Sequence, residues 1–122
     1  MLRRIMIILA AAVAALALAT APAGAGAGSL HLYSAPNFGG THATVPSTTV
    51  DDYFDTCVPV DTLTSQVLSS AQSTQNYTSY DIKLYGATGC TTASFIVRVN
   101  ANTTWTAASA TETAVAVFVI QP

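Results

Sequence analysis

From Leu30 onward the chain alternates apolar and polar residues in short runs. LHLYS (30–34) and THATV (41–45) alternate on either side of SAPNFGG, and SYDIKLYG (79–86) and SFIVRVN (94–100) flank ATGCTTA in the same way. A period of two sends successive side chains to opposite faces, so these runs predict half-buried strands joined as hairpins. VLSSAQS (67–73) reads as a Ser-rich strand. TETAVAVFVI (111–120) is rich in Val with small residues interleaved, which suits a strand packed on both faces. Exposed, AVAVFVI would invite aggregation, so it is expected at the centre of a sheet. Beyond residue 28 no window carries a 3.6-residue apolar repeat with caps, and Trp105 falls in a loop between strands. The predicted class is all-β, a sandwich of about eight short strands.

The N-terminus has a different character. Arg3 and Arg4 precede an apolar run from Ile5 to Ala19, followed by the small residues APAGAGAGS. A charged start, an apolar run of 15 residues and A-x-A sites predict a secretory signal over 1–27, cleaved after Ala23, Ala25 or Ala27. The run is shorter than the roughly 20 residues that span a bilayer. The expected product is an extracellular domain over 28–122, with no membrane segment after cleavage. Its cations are Lys83 and Arg98, set against Asp51, Asp52, Asp55, Asp61, Asp81 and Glu112, a net charge of −4. Two cations cannot build the face that displaces counterions from phosphates, which excludes nucleic acid as a partner and disfavours anionic lipid.

Cys57 and Cys90 are the two cysteines, and in a small exported chain the simplest expectation is one structural disulfide. Closing a loop of 33 residues stabilises a fold by about 3–4 kcal/mol on the chain-entropy account. His31 and His42 lie on the first two predicted strands, where a hairpin brings them near each other. As zinc ligands they lack a third and fourth partner, so they are expected to be cross-strand surface residues, with no metal and no cofactor. Neither histidine sits in a nucleophile–base motif, and an enzyme is not expected. Asp51, Asp52 and Asp55 read as solvated loop carboxylates, with Tyr53 and Phe54 beside them as a satellite of the core. NYT (76–78) and NTT (102–104) have the form of glycosylation sequons.

The two halves share an order of strand, aromatic corner, hairpin, strand and loop, with Tyr33 and Tyr85 separated by 52 residues. Two four-strand units of this kind would have to pack together to bury their apolar faces. Tyr33, Phe38 and Gly40 fill a Y-x-x-x-x-F-x-G spacing, and with LY…NFGG this resembles the Greek-key signature of the βγ-crystallin superfamily. The resemblance implies two Greek keys, over about 29–75 and 78–121, in one sandwich. It implies that the aromatics pack a corner and that Gly40 takes a backbone conformation closed to residues with a Cβ. The family's later motif aligns with SQVLSS at 65–70, which implies that Ser70 bonds across the hairpin. It also implies that Ser65, Gln66 and Ser69 occupy calcium-motif positions, although Ser65 and Gln66 replace the acidic or amide pair that supplies calcium oxygens. In the second half Cys90 and Thr92 stand at the aromatic and glycine positions after Tyr85, so the disulfide would pin a hairpin that an aromatic otherwise holds.

Small exported actinobacterial proteins of this family include metalloproteinase inhibitors and killer-toxin-like antimicrobial proteins, and the disulfide-bonded, cation-poor domain is similar to both. The resemblance implies a monomer that binds an extracellular protease through a rigid loop. Its rivals are a cell-surface-acting antimicrobial protein and a calcium-stabilised structural protein. The inhibitors' additional cysteine pair near the first strand is missing, and no reactive bond can be carried over.

Overall fold

Leu30 and Leu32 are fully buried while His31 and Tyr33 between them are not, so the first strand has one face in the core and one toward solvent. The computed structural model describes residues 27–122, and the signal expected over 1–27 lies outside them except for Ala27. The strands are β1 (Ala27–Ala35), β2 (Gly39–Pro46), β3 (Cys57–Pro59), β4 (Ser73–Thr78), β5 (Asp81–Tyr85), β6 (Phe95–Val99), β7 (Thr103–Thr106) and β8 (Ala116–Ile120). They form two four-stranded antiparallel sheets, in the orders β2-β1-β4-β7 and β3-β8-β5-β6. Each half of the chain thus builds three strands of one sheet and sends its third strand to the other.

Between the sheets lie Leu30, Leu32 and Val45 from the first and Ile82, Leu84, Val99, Val117 and Val119 from the second. Burying each of these aliphatic side chains is worth about 1.5–3 kcal/mol relative to exposure. β8 pairs on both edges, with β3 and β5, so the Val-rich segment lies inside a sheet as its composition predicts. One polar side chain crosses the core. Asn76 of β4 donates from Nδ2 to the carbonyls of Tyr80 (2.7 Å) and Val99 (3.1 Å), and its Oδ1 accepts from the Thr78 amide (3.1 Å) and hydroxyl (2.7 Å). With all four bonds made, Asn76 is buried at no loss of pairing and links β4 to β6 of the facing sheet. The NYT sequon is therefore closed in the folded protein, whereas Asn102 of NTT is exposed.

Three local expectations are corrected. Trp105 is on β7, not in a loop, and packs partly buried against the core. One-turn helices occur at α1 (Ser47–Asp52) and α2 (Val60–Leu63), each following a proline with φ near −60° (Pro46, φ −60°; Pro59, φ −61°). Elements this short show no apolar repeat, so the pattern does not predict them. Third, residues 67–72 do not extend the strand at Ser73. Ser65 and Gln66 have φ of 52° and 68°, and the Thr64 hydroxyl donates to the Val60 carbonyl (2.7 Å) and accepts from the Leu68 amide (3.1 Å), which winds this link into turns.

That shift moves the hydroxyl that closes the first hairpin. At its tip, Asn37 and Phe38 have φ of 57° and 60°, the left-handed pair that a type I′ turn requires. The strained Phe38 amide donates to Ser73 Oγ (2.9 Å), which donates to the Ala35 carbonyl (2.7 Å), and the Asn37 amide donates to Thr106 Oγ1 (2.8 Å). The hairpin thus folds back over β4 and β7. The role expected of Ser70 belongs to Ser73, because the chain from Thr64 to Gln72 is wound into turns and the residue that enters β4 beside the hairpin is Ser73. Gly40 has φ of 74°, and a Cβ there would lie 2.2 Å from Ser34 Oγ, the acceptor of the Thr41 amide.

Three substitutions check this hairpin by chemical denaturation. Gly40→Val is expected to destabilise the domain by more than about 2 kcal/mol, since it adds a β-branched residue at positive φ to a direct clash. Ser73→Ala is expected to cost about 1–3 kcal/mol through the orphaned Phe38 amide, while Ser70→Ala costs less than about 0.5 kcal/mol.

Candidate functional site

On the outer face of the first sheet, alternation along β1 and β2 places His31, Tyr33, His42 and Thr44 side by side. Tyr33 pairs with His42 and His31 with Thr44 in register. Tyr33 stacks on His42 (centroids 4.5 Å, planes 7° apart) and meets Phe38 edge-on at 5.6 Å. His42 meets His31 nitrogen to nitrogen, His42 Nε2 lying 2.8 Å from His31 Nδ1 with ring centroids 5.0 Å apart, and the rings of His31 and Tyr77 meet edge-on at 5.7 Å. The Tyr33 hydroxyl donates to Gln75 Oε1 (2.9 Å), so a bond to β4 fixes the middle of the row. Burial pushes the His31 imidazole below its ordinary pKa, and the neighbouring His42 pushes it the same way.

The outer face of the second sheet is built differently. Tyr85 meets Phe95 edge-on (5.6 Å, 72°), much as Tyr33 meets Phe38 (5.6 Å, 62°). The aromatic partner in the second half is therefore Phe95, at the start of β6, and Cys90 does not stand alone in its place. Cys90 is instead bonded to Cys57 of β3, with Cα atoms 6.0 Å apart. Lys83, Tyr85, Thr92, Phe95 and Arg98 line an open groove of about 270 Å³. Lys83 and Arg98 face each other across β5 and β6, a pairing of like charges that costs stability unless compensated. Asp81 compensates one of them: its Oδ2 accepts from Arg98 Nη2 (2.5 Å) and Nε (3.0 Å), and its Oδ1 from the Ala101 amide (2.7 Å). Among the described residues no carboxylate forms an ion pair with Lys83.

Beside this groove runs the β5–β6 loop, with residues 86–89 and 91–93 exposed. The Gly86 amide donates to the Ser94 carbonyl (2.8 Å), the Ser94 amide to the Thr91 carbonyl (3.0 Å), and the disulfide clamps the loop at its middle to β3. A third feature is a shallow cleft of about 220 Å³ lined by Ser47, Thr48, Asp51, Ser79 and Tyr80. The Tyr80 hydroxyl donates to Asp51, and this bond, with burial and the carboxylate charge, holds the phenol above its ordinary pKa. Such a phenol stays protonated near neutrality and is a poor base or nucleophile.

Of the residues singled out by sequence, the structure joins Tyr33 with Phe38, Cys57 with Cys90, and His31 with His42. Ser65, Gln66 and Ser69 are exposed in the link after α2. Tyr53 packs against the core, while Phe54 is exposed and lies 5.8 Å from Tyr80. The sequence gives no sign that Lys83 and Arg98 share a groove. Alternation puts each on a polar face, but their pairing depends on a register fixed by the irregularity beside Tyr85. Among the described residues, no three His, Cys, Asp or Glu side chains converge as a metal-binding group, and no helix is long and apolar enough to cross a membrane. No family model matches the chain, and no curated protein or solved structure matches it.

The lowered pKa of His31 gives a pH dependence of known sign. Below its ordinary value of 6.5 the unfolded chain takes up the proton more readily than the folded one. Stability is therefore complete above about pH 6.5 and declines as the pH falls further. In metal-free buffer the urea midpoint is expected to drop from about pH 7.5 to 5.5, by more in the wild type than in His31→Gln.

Proposed function

We propose that the protein is an exported peptidase inhibitor of the metalloproteinase-inhibitor type, built on two Greek keys of βγ-crystallin kind and acting through a rigid loop. The observation that carries this reading is the exposed β5–β6 loop, clamped at Cys90 to β3 by the disulfide and bonded internally at both ends. A loop held in one conformation loses little entropy on entering a protease cleft, so more of its contact energy appears as affinity. The Greek-key part is supported by the strand orders. β4 lies beside β1 and β1 beside β2, with β8, β5 and β6 repeating the arrangement. The crystallin kinship is supported by the Tyr33–Phe38 corner, the positive φ of Gly40 and the serine hydroxyl that bridges the hairpin.

A second reading, an antimicrobial protein that acts at a cell surface, is favoured by one observation. Tyr85 and Phe95 line one groove with Lys83 and Arg98, an aromatic lining with hydrogen-bond donors that suits a cell-wall glycan. The two readings separate experimentally. The inhibitor at micromolar concentration should block at least one member of a panel of thermolysin-like and serine proteases. Cys57→Ser/Cys90→Ser should weaken that inhibition by about tenfold or more, through the freed loop. A panel left fully active overturns the inhibitor reading, and growth inhibition or binding to purified cell-wall glycan by the same preparation would favour its rival.

A further inference from the structure

The groove on the outer face of the second sheet carries hydrogen-bond donors that the fold itself leaves unused. In register Lys83 stands between Arg98 on β6 and Phe118 on β8, so all three side chains leave the sheet on the same side. Among the described residues the Lys83 ammonium has no ion pair, and Arg98 gives Nε and Nη2 to Asp81 while its Nη1 has no partner. Tyr85 is in a different position from both. It is only 8% exposed, yet its hydroxyl has no hydrogen-bond partner among the described residues, whereas a buried tyrosine ordinarily finds one. The side-chain polar atom sealed inside the described residues without a partner is Thr74 Oγ1. The Tyr85 hydroxyl is therefore not sealed, and it opens onto the groove that Tyr85 lines.

We propose that this groove holds one sugar ring bearing a single carboxylate, a uronic acid unit flanked by neutral sugars in a glycan chain. The inference rests on the cell-wall glycan reading and names the unit that the groove takes. Charge sets the first requirement. Lys83 and Arg98 against Asp81 leave one positive charge over, which one carboxylate offsets. A phosphate monoester brings nearly two negative charges. The five other carboxylates of residues 27–122, Asp51, Asp52, Asp55, Asp61 and Glu112, keep the domain acidic, so a chain charged on every unit is repelled. The donors set the second requirement. Lys83 Nζ, Arg98 Nη1 and the hydroxyls of Tyr85 and Thr92 line the groove, while the Asp81 carboxylate is taken up by Arg98 and the Ala101 amide. Such a set suits a ligand rich in acceptor oxygens.

Size and spacing fit one ring. The groove of about 270 Å³ is smaller than sites for drug-sized molecules, which run from about 300 to 1,000 Å³. Its cationic pair, Lys83 and Arg98, and its aromatic pair, Tyr85 and Phe95, are two residues apart along β5, about 7 Å. A six-membered ring with its carboxylate spans that length. With the carboxylate on Lys83, the C–H face of the ring meets Phe95, which is 45% exposed and held edge-on by Tyr85. The Tyr85 hydroxyl then has a sugar hydroxyl as its missing partner.

The test is titration of the isotope-labelled protein with a trisaccharide that has glucuronic acid between two N-acetylglucosamine units, followed by amide magnetic resonance. We expect saturable shifts centred on Lys83, Tyr85, Thr92, Phe95 and Arg98. The carboxyl-reduced trisaccharide and the trimer of N-acetylglucosamine should each bind about tenfold or more weakly, through loss of a charge-assisted contact. Lys83→Met should weaken binding by about tenfold while leaving the urea midpoint unchanged or higher, since it removes a repulsion from Arg98. Tyr85→Phe should weaken binding by about threefold or more at an unchanged midpoint, because the hydroxyl it removes has no partner in the free protein. A midpoint that falls with Tyr85→Phe while binding is kept would make the hydroxyl structural and overturn the proposal. Equal binding of the carboxyl-reduced trisaccharide would overturn the carboxylate and leave the glycan reading standing. If no trisaccharide binds, the proposal falls, and the glycan reading falls with it only if the protein also fails to bind purified cell-wall glycan.

Discussion

The fold depends on an exchange of strands. β3, from the first half, is completed by pairing with β8, and β7, from the second, by pairing with β4. Neither half alone makes a four-stranded sheet, and neither alone covers the apolar face that Leu30, Leu32 and Val45 or Ile82, Leu84 and Val117 present. The two halves must therefore form together, and most of the remaining structure reinforces that requirement. Asn76 ties β4 to the Val99 carbonyl of the facing sheet, and the disulfide joins β3 to the second half's hairpin. A covalent link between elements that already depend on each other removes freedom chiefly from the unfolded chain.

Within this frame the two outer faces follow one template with different chemistry. Tyr33 and Tyr85 each meet a phenylalanine edge-on at 5.6 Å, but Phe38 comes from a turn tip and Phe95 from the first residue of the next strand. The first hairpin is folded down by hydrogen bonds to Ser73 and Thr106, so its tip is committed to the sheet. The second has a longer loop fixed by the disulfide, which leaves its residues exposed yet ordered. Rigid presentation and open access coincide there. The sheets beneath differ in the same way. One displays two hydrogen-bonded imidazoles among aromatic rings, the other a lysine and an arginine whose repulsion is relieved on one side by Asp81.

Much of the architecture was legible because a period of two is a local property. LHLYS, THATV, DIKLY, FIVRV and AVFVI all lie in strands, and Val content alone placed β8 between two neighbours. The cysteine pair followed from number and size of chain. Short elements escaped because one turn of helix, or the four residues of β7 around Trp105, is too little chain to display a period. Ser73 escaped because a motif spacing counts residues along the chain, whereas left-handed Ser65 and Gln66 wind the link before β4 into turns.

What the sequence by itself determined, then, is which side chains are apolar on alternate positions, which backbone position needs glycine, and which two sulfurs exist to be joined. Each is fixed by the residue and its near neighbours. The tertiary structure decided which residues meet: His31 with His42, Lys83 with Arg98, Tyr85 with Phe95, Ser73 with the Phe38 amide. Those meetings depend on strand register, on a bulge and on the exchange of strands between halves. A shift of one residue would turn each of these side chains to the opposite face, so no local reading of the chain contains them.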